Sequence, residues 1–427
     1  MTDSTASTPG RTAWLMVLLL VPVALLNYMD RQMLAAMKTS MMTDLPDIGS
    51  KANWGLVLGT FKWVYALLSP VGGALADRLE KRYVICGSLF VWSAVTWWTG
   101  HTDNFQQLLA ARALMGMSEA FYMPAALALI TDFHLGPTRS RAVGFHQMGI
   151  YAGTILGGFA GYAADAPDIG WRGAFSFSGL AGVVYALPLF WLLKNPPAGT
   201  DSANTQTKPT ANTNTASPHQ SFASATATLF SNRNFLLLVA CFTLPALAGW
   251  VVRDWMPDIL KERFHLGQGK AGVSAVLYVQ LACLAGVGIG GWLADRWMLL
   301  TPRGRILTSA CGMLLFLPAL FGVGNATTLG MAIGFLILFG LGWGFFDCNN
   351  MPILCQIVPP RLRATGYGFM NLVSIACGGF ADWGFGALRD RHVPLNLIFG
   401  AFAALALLSA LLILRIRPQG PESTQPA

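Results

Sequence analysis

Gly73-Ala74-Leu75-Ala76-Asp77-Arg78 follows an apolar run in the first half of this 427-residue chain, and Gly291-Trp292-Leu293-Ala294-Asp295-Arg296 follows one in the second half. A second pair repeats the order: Arg141-Ala142-Val143-Gly144-Phe145 with Gly157-Gly158 beyond it, and Arg363-Ala364-Thr365-Gly366-Tyr367 with Gly378-Gly379 beyond it. The interval from Asp77 to Asp295 is nearly the interval from Arg141 to Arg363. Two matches at nearly one spacing, in one order, imply a duplicated unit. In membrane proteins such repeats place a substrate site near the bilayer midplane, between the halves.

Composition says that the unit lies in a membrane. Hydrophobic residues make up 54% of the chain and charged residues only 11%, against about 25% charged in a soluble protein. A disordered polar chain is excluded by the apolar content. A disulfide scaffold is excluded by seven scattered cysteines, an odd number. A span needs roughly 20 apolar residues to cross about 30 Å of hydrocarbon. Runs of that kind lie at about 14–37, 54–76, 83–100, 105–132, 141–164 and 172–193, and again at 235–260, 271–294, 306–323, 329–357, 364–387 and 395–414. The first run continues into Asp30-Arg31 without a small-residue cleavage site, so it is not read as a signal peptide. The expected fold is an all-α polytopic membrane protein, with 12 transmembrane helices in two pseudo-symmetric six-helix bundles.

The expected organisation is a cytoplasmic tail at 1–13, a first bundle at 14–194, a flexible cytoplasmic linker at 195–232, a second bundle at 233–417 and a tail at 418–427. The linker reading rests on Thr, Ser, Asn, Ala and Pro with few large apolar residues before Phe222. With both termini cytoplasmic, 16 Lys and Arg fall on the cytoplasmic side, 8 opposite and 4 inside spans. That two-to-one excess fixes the expected orientation. It also explains the net charge of +8 without nucleic acid, since no basic stripe tracks phosphates.

These features resemble the major facilitator superfamily of transporters across nearly the whole chain. The resemblance makes Asp77, Arg78, Asp295 and Arg296 parts of gate loops between inward-open and outward-open states. Glu80 stands where that family has Gly. Asn27-Tyr28-Met29-Asp30-Arg31, with Arg112 to Glu119, Tyr122 and Pro124, resembles two branches. One is the anion:cation symporter branch, which carries sugar acids and other organic anions with protons. The other is the spinster branch, which moves lysolipids or sphingoid lipids. By resemblance, Asp30 and Glu119 are the protonatable acids, and Arg31 and Arg112 their cation partners and anion-binding groups.

Charge inside a span is costly and marks transport pathways. The acids read there are Asp30, Glu119, Asp254 and Asp347, and the cations Arg31, Lys62, Arg112 and Arg253. This balance predicts ion pairs in a water-filled cavity. A fixed Asp30–Arg112 or Glu119–Arg31 pair that only locks helices is the competing reading. Arg112 and Glu119, seven apart, share a helix face. Arg253 and Pro257, four apart, suggest a kinked helix with an inward Arg that suits a gate or an anion clamp, and the competing reading has Arg253 and Asp254 snorkel to water near the outer interface. Phe345 to Pro352, with Asp347, Asn349 and Asn350, suggests a broken helix lining the cavity. Tyr28, Arg31, Lys62, Arg112, Tyr122, Gln147, Arg253, Asp347, Asn350 and Asn371 are the expected substrate-binding residues. His146 is a candidate relay.

Gly286 to Gly291 fits a G-x-G-x-x-G spacing but lies inside an apolar span, so it is not a nucleotide loop. The chain has no C-x-x-C, H-E-x-x-H or P-loop pattern. Enzyme activity, a metal and a bound cofactor are therefore not expected. The proton is the expected coupling ion. The leading expectation is a monomeric secondary transporter of a bacterial-type cytoplasmic (inner) membrane, with a small organic anion as cargo and the lipid bilayer as surroundings. The alternatives are a spinster-like lipid transporter and a multidrug exporter.

Overall fold

The apolar runs fold as helices because only a helix satisfies its own backbone within hydrocarbon. The structure is a computed structural model that describes residues 10–134, 138–195, 222–359 and 362–418. The first half contains α1 (Arg11–Ala36), a short α2 (Lys38–Asp44), α3 (Lys51–Arg78), α4 (Lys81–Thr99), α5 (Phe105–Glu119), α6 (Tyr122–Phe133), α7 (Arg139–Asp165) and α8 (Gly170–Leu192). The second half contains α9 (Phe222–Ser231), α10 (Arg233–Phe264), α11 (Gln268–Met298), α12 (Gly304–Asn325), α13 (Leu329–Ile357), α14 (Arg363–Asp390) and α15 (Leu395–Ile413). With α5 and α6 forming one pass, the described residues make twelve long passes, six in each half.

Nine of the described helical segments are long and apolar enough by composition to cross a membrane. The passes outside that set are α4, α7 and α14. Both α7 and α14 are rich in Gly and polar residues, and they pack on the opposite half, α7 on α11 and α14 on α3. Small residues let such helices approach closely.

The duplication is visible atom by atom. A Cβ on Gly116 would meet Phe61 O at 2.5 Å, and a Cβ on Gly340 would meet Val279 O at 2.5 Å. Gly116 corresponds to Gly340, and Phe61 to Val279, at close to the spacing of the repeated motifs. Each glycine lets α5 or α13 lie against its neighbour's backbone. The caps repeat too. Asn104 accepts from the Gln107 amide at 2.9 Å, and Thr328 from the Met331 amide at 3.3 Å. In one loop the repeat shifts its register. Arg139 donates from Nε to His134 O and from Nη2 to Thr131 O. Arg363 does the same to Val358 O and Cys355 O. The sequence pairs Arg363 with Arg141, but Arg139 fills the same role, satisfying the last carbonyls of the preceding helix.

Two helix expectations are corrected. The tenth pass is not broken: α13 continues through Pro352. Its polar residues bond along their own helix, Asn349 Nδ2 donating to Phe345 O at 2.9 Å. The fourth pass, read as one span, is interrupted at Ala120 and Phe121, directly after Glu119. In the interval read as linker, residues 222–231 form α9, and 196–221 lie outside the described residues. Leu229 of α9 is buried, and Phe230 packs edge-on against Phe235 and Phe369.

Side-chain contacts between the halves gather from the middle of the bundle to the end where α1 finishes. Lys38 pairs with Asp258 at 2.5 Å and Lys51 with Glu262 at 2.5 Å. Asp390 accepts from the backbone amides of Lys51 and Ala52 at 2.9 and 2.8 Å. Gln268 Nε2 donates to Ser40 Oγ at 2.6 Å and to Asp165 Oδ1 at 3.1 Å. This is the closed end of the molecule.

Candidate functional site

A cavity of about 260 Å³ lies between the halves, walled by α1 and α7 on one side and α10, α11, α13 and α14 on the other. Its surface is polar and apolar in nearly equal parts, with an aromatic wall of Trp250, Phe242, Phe339 and Trp343 from the second half facing Tyr28 and Tyr151 from the first. Of the substrate-binding residues expected from sequence, it brings together Tyr28, Gln147, Arg253, Asp347 and Asn371. A concave site with an aromatic wall and convergent polar groups is the usual form of a small-molecule site.

Arg253 and Asp347 are the charges of this cavity. Arg253 is half-buried on α10, with its guanidinium 5.3 Å from the Trp250 ring and 5.9 Å from the Tyr28 ring. Among the described residues no carboxylate lies within ion-pair distance of it, so it is a cation held by aromatic faces with its donors free. Asp347 is exposed to the cavity from α13. It accepts a long hydrogen bond from Asn350 Nδ2, at 3.5 Å. The prediction of ion pairs inside the cavity is thus corrected: the cavity holds one cation and one anion, both unpaired, and the ion pairs lie elsewhere.

Several expected residues are inside the first bundle instead. Arg31 grips Glu119 through Nε at 2.7 Å and Nη2 at 2.6 Å, both on Oε2. Its guanidinium also lies over Tyr28, Phe61 and Tyr65, at 4.8, 4.6 and 5.1 Å. Glu119 is fully buried, and its Oε1 has no hydrogen-bond partner among the described residues. Arg112 is buried against the same Phe61 ring at 4.6 Å, with Met115 Sδ at 2.8 Å from Nη1, and forms no ion pair among the described residues. Asp30 does not meet Arg112. It accepts from Thr96 Oγ1 at 2.9 Å and Ser178 Oγ at 2.5 Å, facing α4 and α8. The reason is angular: neighbouring residues on a helix point about 100° apart, so Asp30 and Arg31 serve different neighbours.

Tyr122, fully buried, does not reach the cavity. Its hydroxyl lies 2.8 Å from His146 Nε2 and its ring packs edge-on against Trp92. Asn350 is buried beside Asp347 and does not line the cavity.

Lys62 also lies outside the cavity. Its ammonium sits between Asp254, at 2.5 Å, and Asp382, with the Trp250 ring centroid 4.2 Å away. Asp382 is absent from the sequence-based set of intramembrane acids. The same rule reveals it, because it stands alone in the apolar run Gly378 to Phe385. Of the gate-loop residues, Asp295 and Arg296 are exposed at the end of α11. The side chains of Asp77 and Arg78 lie outside the described residues. Glu80, the residue before α4, accepts from Asn195 Nδ2 at 2.6 Å, tying the start of α4 to the chain beyond α8.

Comparison with known proteins agrees with this architecture. Residues 20–381 match the Major Facilitator Superfamily. The chain is 30% identical over 410 residues to protein spinster homolog 1 of Homo sapiens, covering 91% of this chain and 75% of that protein. A crystal structure of a bacterial homolog to the human lysosomal transporter spinster, inward-facing and unoccupied, superposes with a TM-score of 0.73 at 20% identity, over 96% of this chain and 95% of that one. A nucleoside transporter also superposes with a TM-score of 0.73, at 12% identity over 94% and 99% of the two chains. The fold is therefore shared with a nucleoside transporter as well as a spinster homolog, and it does not itself name a cargo. The chain belongs to the Major Facilitator Superfamily of membrane transporters, a transporter family and not an enzyme family, and within it to the spinster proteins.

Proposed function

We propose that the protein moves an amphipathic organic anion by proton-coupled alternating access. The observation that carries this reading is Arg253, a cation with free donors in a cavity between two bundles that are joined at one end. A carboxylate or phosphate there gains charge-assisted hydrogen bonds that no protein acid competes for. Asp347, across the cavity, suits an amine or hydroxyl on the same cargo. With both termini cytoplasmic in an inner membrane, the closed end faces outward and the state is inward-facing. The reading takes the monomer as the working unit.

Two cargo classes meet this description: a small sugar acid or carboxylate, and a spinster-like lysolipid or sphingoid lipid. The wall of Phe242, Trp250, Phe339 and Trp343 favours the lipid class, since a sugar acid offers little apolar surface to it. Arg253, the in-span cation that lines the cavity, disfavours a cationic group placed beside it.

Coupling is assigned to Glu119, with Asp30 as a second acid. A proton on Glu119 weakens its hold on Arg31. Arg31 lies over the Tyr28 ring, and Tyr28 is also near Arg253. The protonation state of Glu119 is thereby felt at the cargo site through one shared ring.

The test uses the purified protein in proteoliposomes with a radiolabelled lysophospholipid and a radiolabelled hexuronate in parallel. We expect lysophospholipid movement that depends on a pH gradient and is abolished by a protonophore. Glu119→Gln should lose gradient-driven accumulation and keep exchange. Hexuronate uptake alone moves the cargo to the sugar-acid class. Movement of neither overturns the organic-anion reading, and accumulation by Glu119→Gln removes Glu119 as the coupling acid.

A further inference from the structure

Among the described residues, the ion pairs that join the two bundles at the closed end share a polarity. The cations Lys38, Lys51 and Lys62 come from the first bundle, and the acids Asp254, Asp258, Glu262 and Asp382 from the second. Lys38 meets a single acid. Lys62 differs, because one ammonium serves two carboxylates, and both belong to the second bundle. Their side chains are 10% and 0% exposed for Asp254 and Asp382, and that of Lys62 is 4% exposed. Trp250, also of the second bundle, closes the position with its ring face. Asp382 Oδ1 is buried and has no hydrogen-bond partner among the described residues.

Alternating access rocks one bundle against the other about the central site. When this end opens, Lys62 leaves with α3, while Asp254 on α10, Asp382 on α14 and Trp250 stay together. Two carboxylates and a π face then line a wetted cleft without their counter-ion. Uncompensated acids in a low-dielectric recess are strongly unfavourable, and the recess concentrates cations. Hard cations take oxygen ligands, and an aromatic face adds attraction for a monovalent ion.

The geometry points to a small monovalent cation site made of Asp254, Asp382 and the Trp250 ring, occupied here by the tethered ammonium of Lys62 and, when this end opens, by a free cation such as Na⁺. Lys62 and the free ion compete for one place. The cation in the compartment faced by the closed end therefore opposes closure, whatever the cargo. The inference does not depend on the cargo assignment.

Lys62→Ala removes the tethered ligand and leaves the site. Thermal unfolding of the purified protein is compared in sodium chloride and choline chloride at equal ionic strength. Lys62→Ala should melt several degrees higher in Na⁺, because a ligand that binds only the folded state stabilises it. Methylammonium, which fits the room left by the lost side chain, should restore stability as well. Lys62→Ala/Asp382→Asn, with one carboxylate left, should melt alike in both salts. Equal melting of Lys62→Ala in sodium and choline overturns the proposal, and so does a response confined to pH, which makes the occupant a proton. Should Lys62→Ala fail to fold, hydrogen exchange of the wild-type protein supplies the answer. Na⁺ should speed exchange in Lys38–Asp44 and in the first turn of α3, and Asp382→Asn should abolish that response. Exchange indifferent to Na⁺ in the wild-type protein overturns the proposal.

Discussion

Arg31 and Glu119 define the most demanding prediction. Glu119 is 0% exposed and Arg31 15% exposed, with two nitrogens on one carboxylate oxygen. Arg31→Met keeps most of the aliphatic volume and removes the charge. It leaves Glu119 as a buried acid without a direct partner, and breaking one side of a buried pair costs about 3–5 kcal/mol. Arg112 shares the Phe61 ring and compensates in part, which places the expectation near the lower bound, about 3 kcal/mol. Glu119→Gln is milder. Arg31 retains three aromatic faces, each worth about 0.5–2 kcal/mol to a cation, and keeps an amide oxygen to donate to. Arg31→Met/Glu119→Gln removes both charges and should recover most of the loss, giving a coupling energy of about 2 kcal/mol. The assay is reversible unfolding in mixed micelles, with all four proteins measured together. An Arg31→Met protein within about 0.5 kcal/mol of wild type, the range of an unremarkable surface change, refutes the reasoning. A double variant no better than Arg31→Met refutes it equally.

Arg253→Met should behave in the opposite way. Its guanidinium has no protein acid to strand, so the melting temperature should hold while KM for the anionic cargo rises about 10- to 100-fold, the equivalent of about 1.5–3 kcal/mol for hydrogen bonds to a charge. A KM unchanged beside an unchanged melting temperature takes Arg253 out of the cargo site. Gly158 lies where α7 meets α11, and a Cβ there would stand 3.1 Å from Gly272 O. Gly158→Leu should wedge the closed end apart and raise hydrogen exchange around Gln268, and protection equal to wild type would show that the bundles close without that contact.

Much of the fold is legible in the sequence because the signal is large and repeated. A run of about 20 apolar residues is hard to mistake, and a motif recurring once in each half fixes the pairing of helices. What is not legible follows from the same physics. The interruption at Ala120 and Phe121 is marked only by Pro124, which cannot donate to the Ala120 carbonyl, and prolines such as Pro22 and Pro352 sit inside unbroken helices elsewhere in this chain. Charged residues announce that they lie in a span, but a helix offers them lipid, bundle core, interface or cavity. Only the tilt and rotation of neighbours decide among these. Asp30 thus meets two hydroxyls, Arg31 meets Glu119, Lys62 meets the other bundle, and Arg253 alone of the four in-span cations lines the cavity. Asp382 is different, because the rule that selects Asp347 selects it too and no structural knowledge is needed to find it.

The duplication itself explains why Arg253 is free. Arg31 stands as far along α1 from its start at Arg11 as Arg253 stands along α10 from its start at Arg233. Glu119 follows Gly116 at the interval at which Trp343 follows Gly340, the glycine that matches Gly116 in the second half. In the first bundle the arginine has its acid and is consumed by it. In the second bundle the acid's place is taken by a tryptophan, which lies against Gly249, one turn before Arg253 on α10, and lines the cavity. The same ancestral position therefore gives a locked pair in one half and an open cation in the other. Trp343→Glu should restore the lost partner. The new carboxylate should capture Arg253 and weaken binding of the anionic cargo about tenfold or more relative to Trp343→Ala, since a tenfold loss needs only about 1.4 kcal/mol of competition. The Trp343→Ala control carries the cost of disrupting the contacts with Phe316, Phe339 and Phe346. Binding measured by isothermal titration with a lysophospholipid decides the matter. If Trp343→Glu binds as well as Trp343→Ala, the acid at this position does not reach Arg253, and the freedom of Arg253 has some origin other than the exchange of Glu for Trp between the repeats.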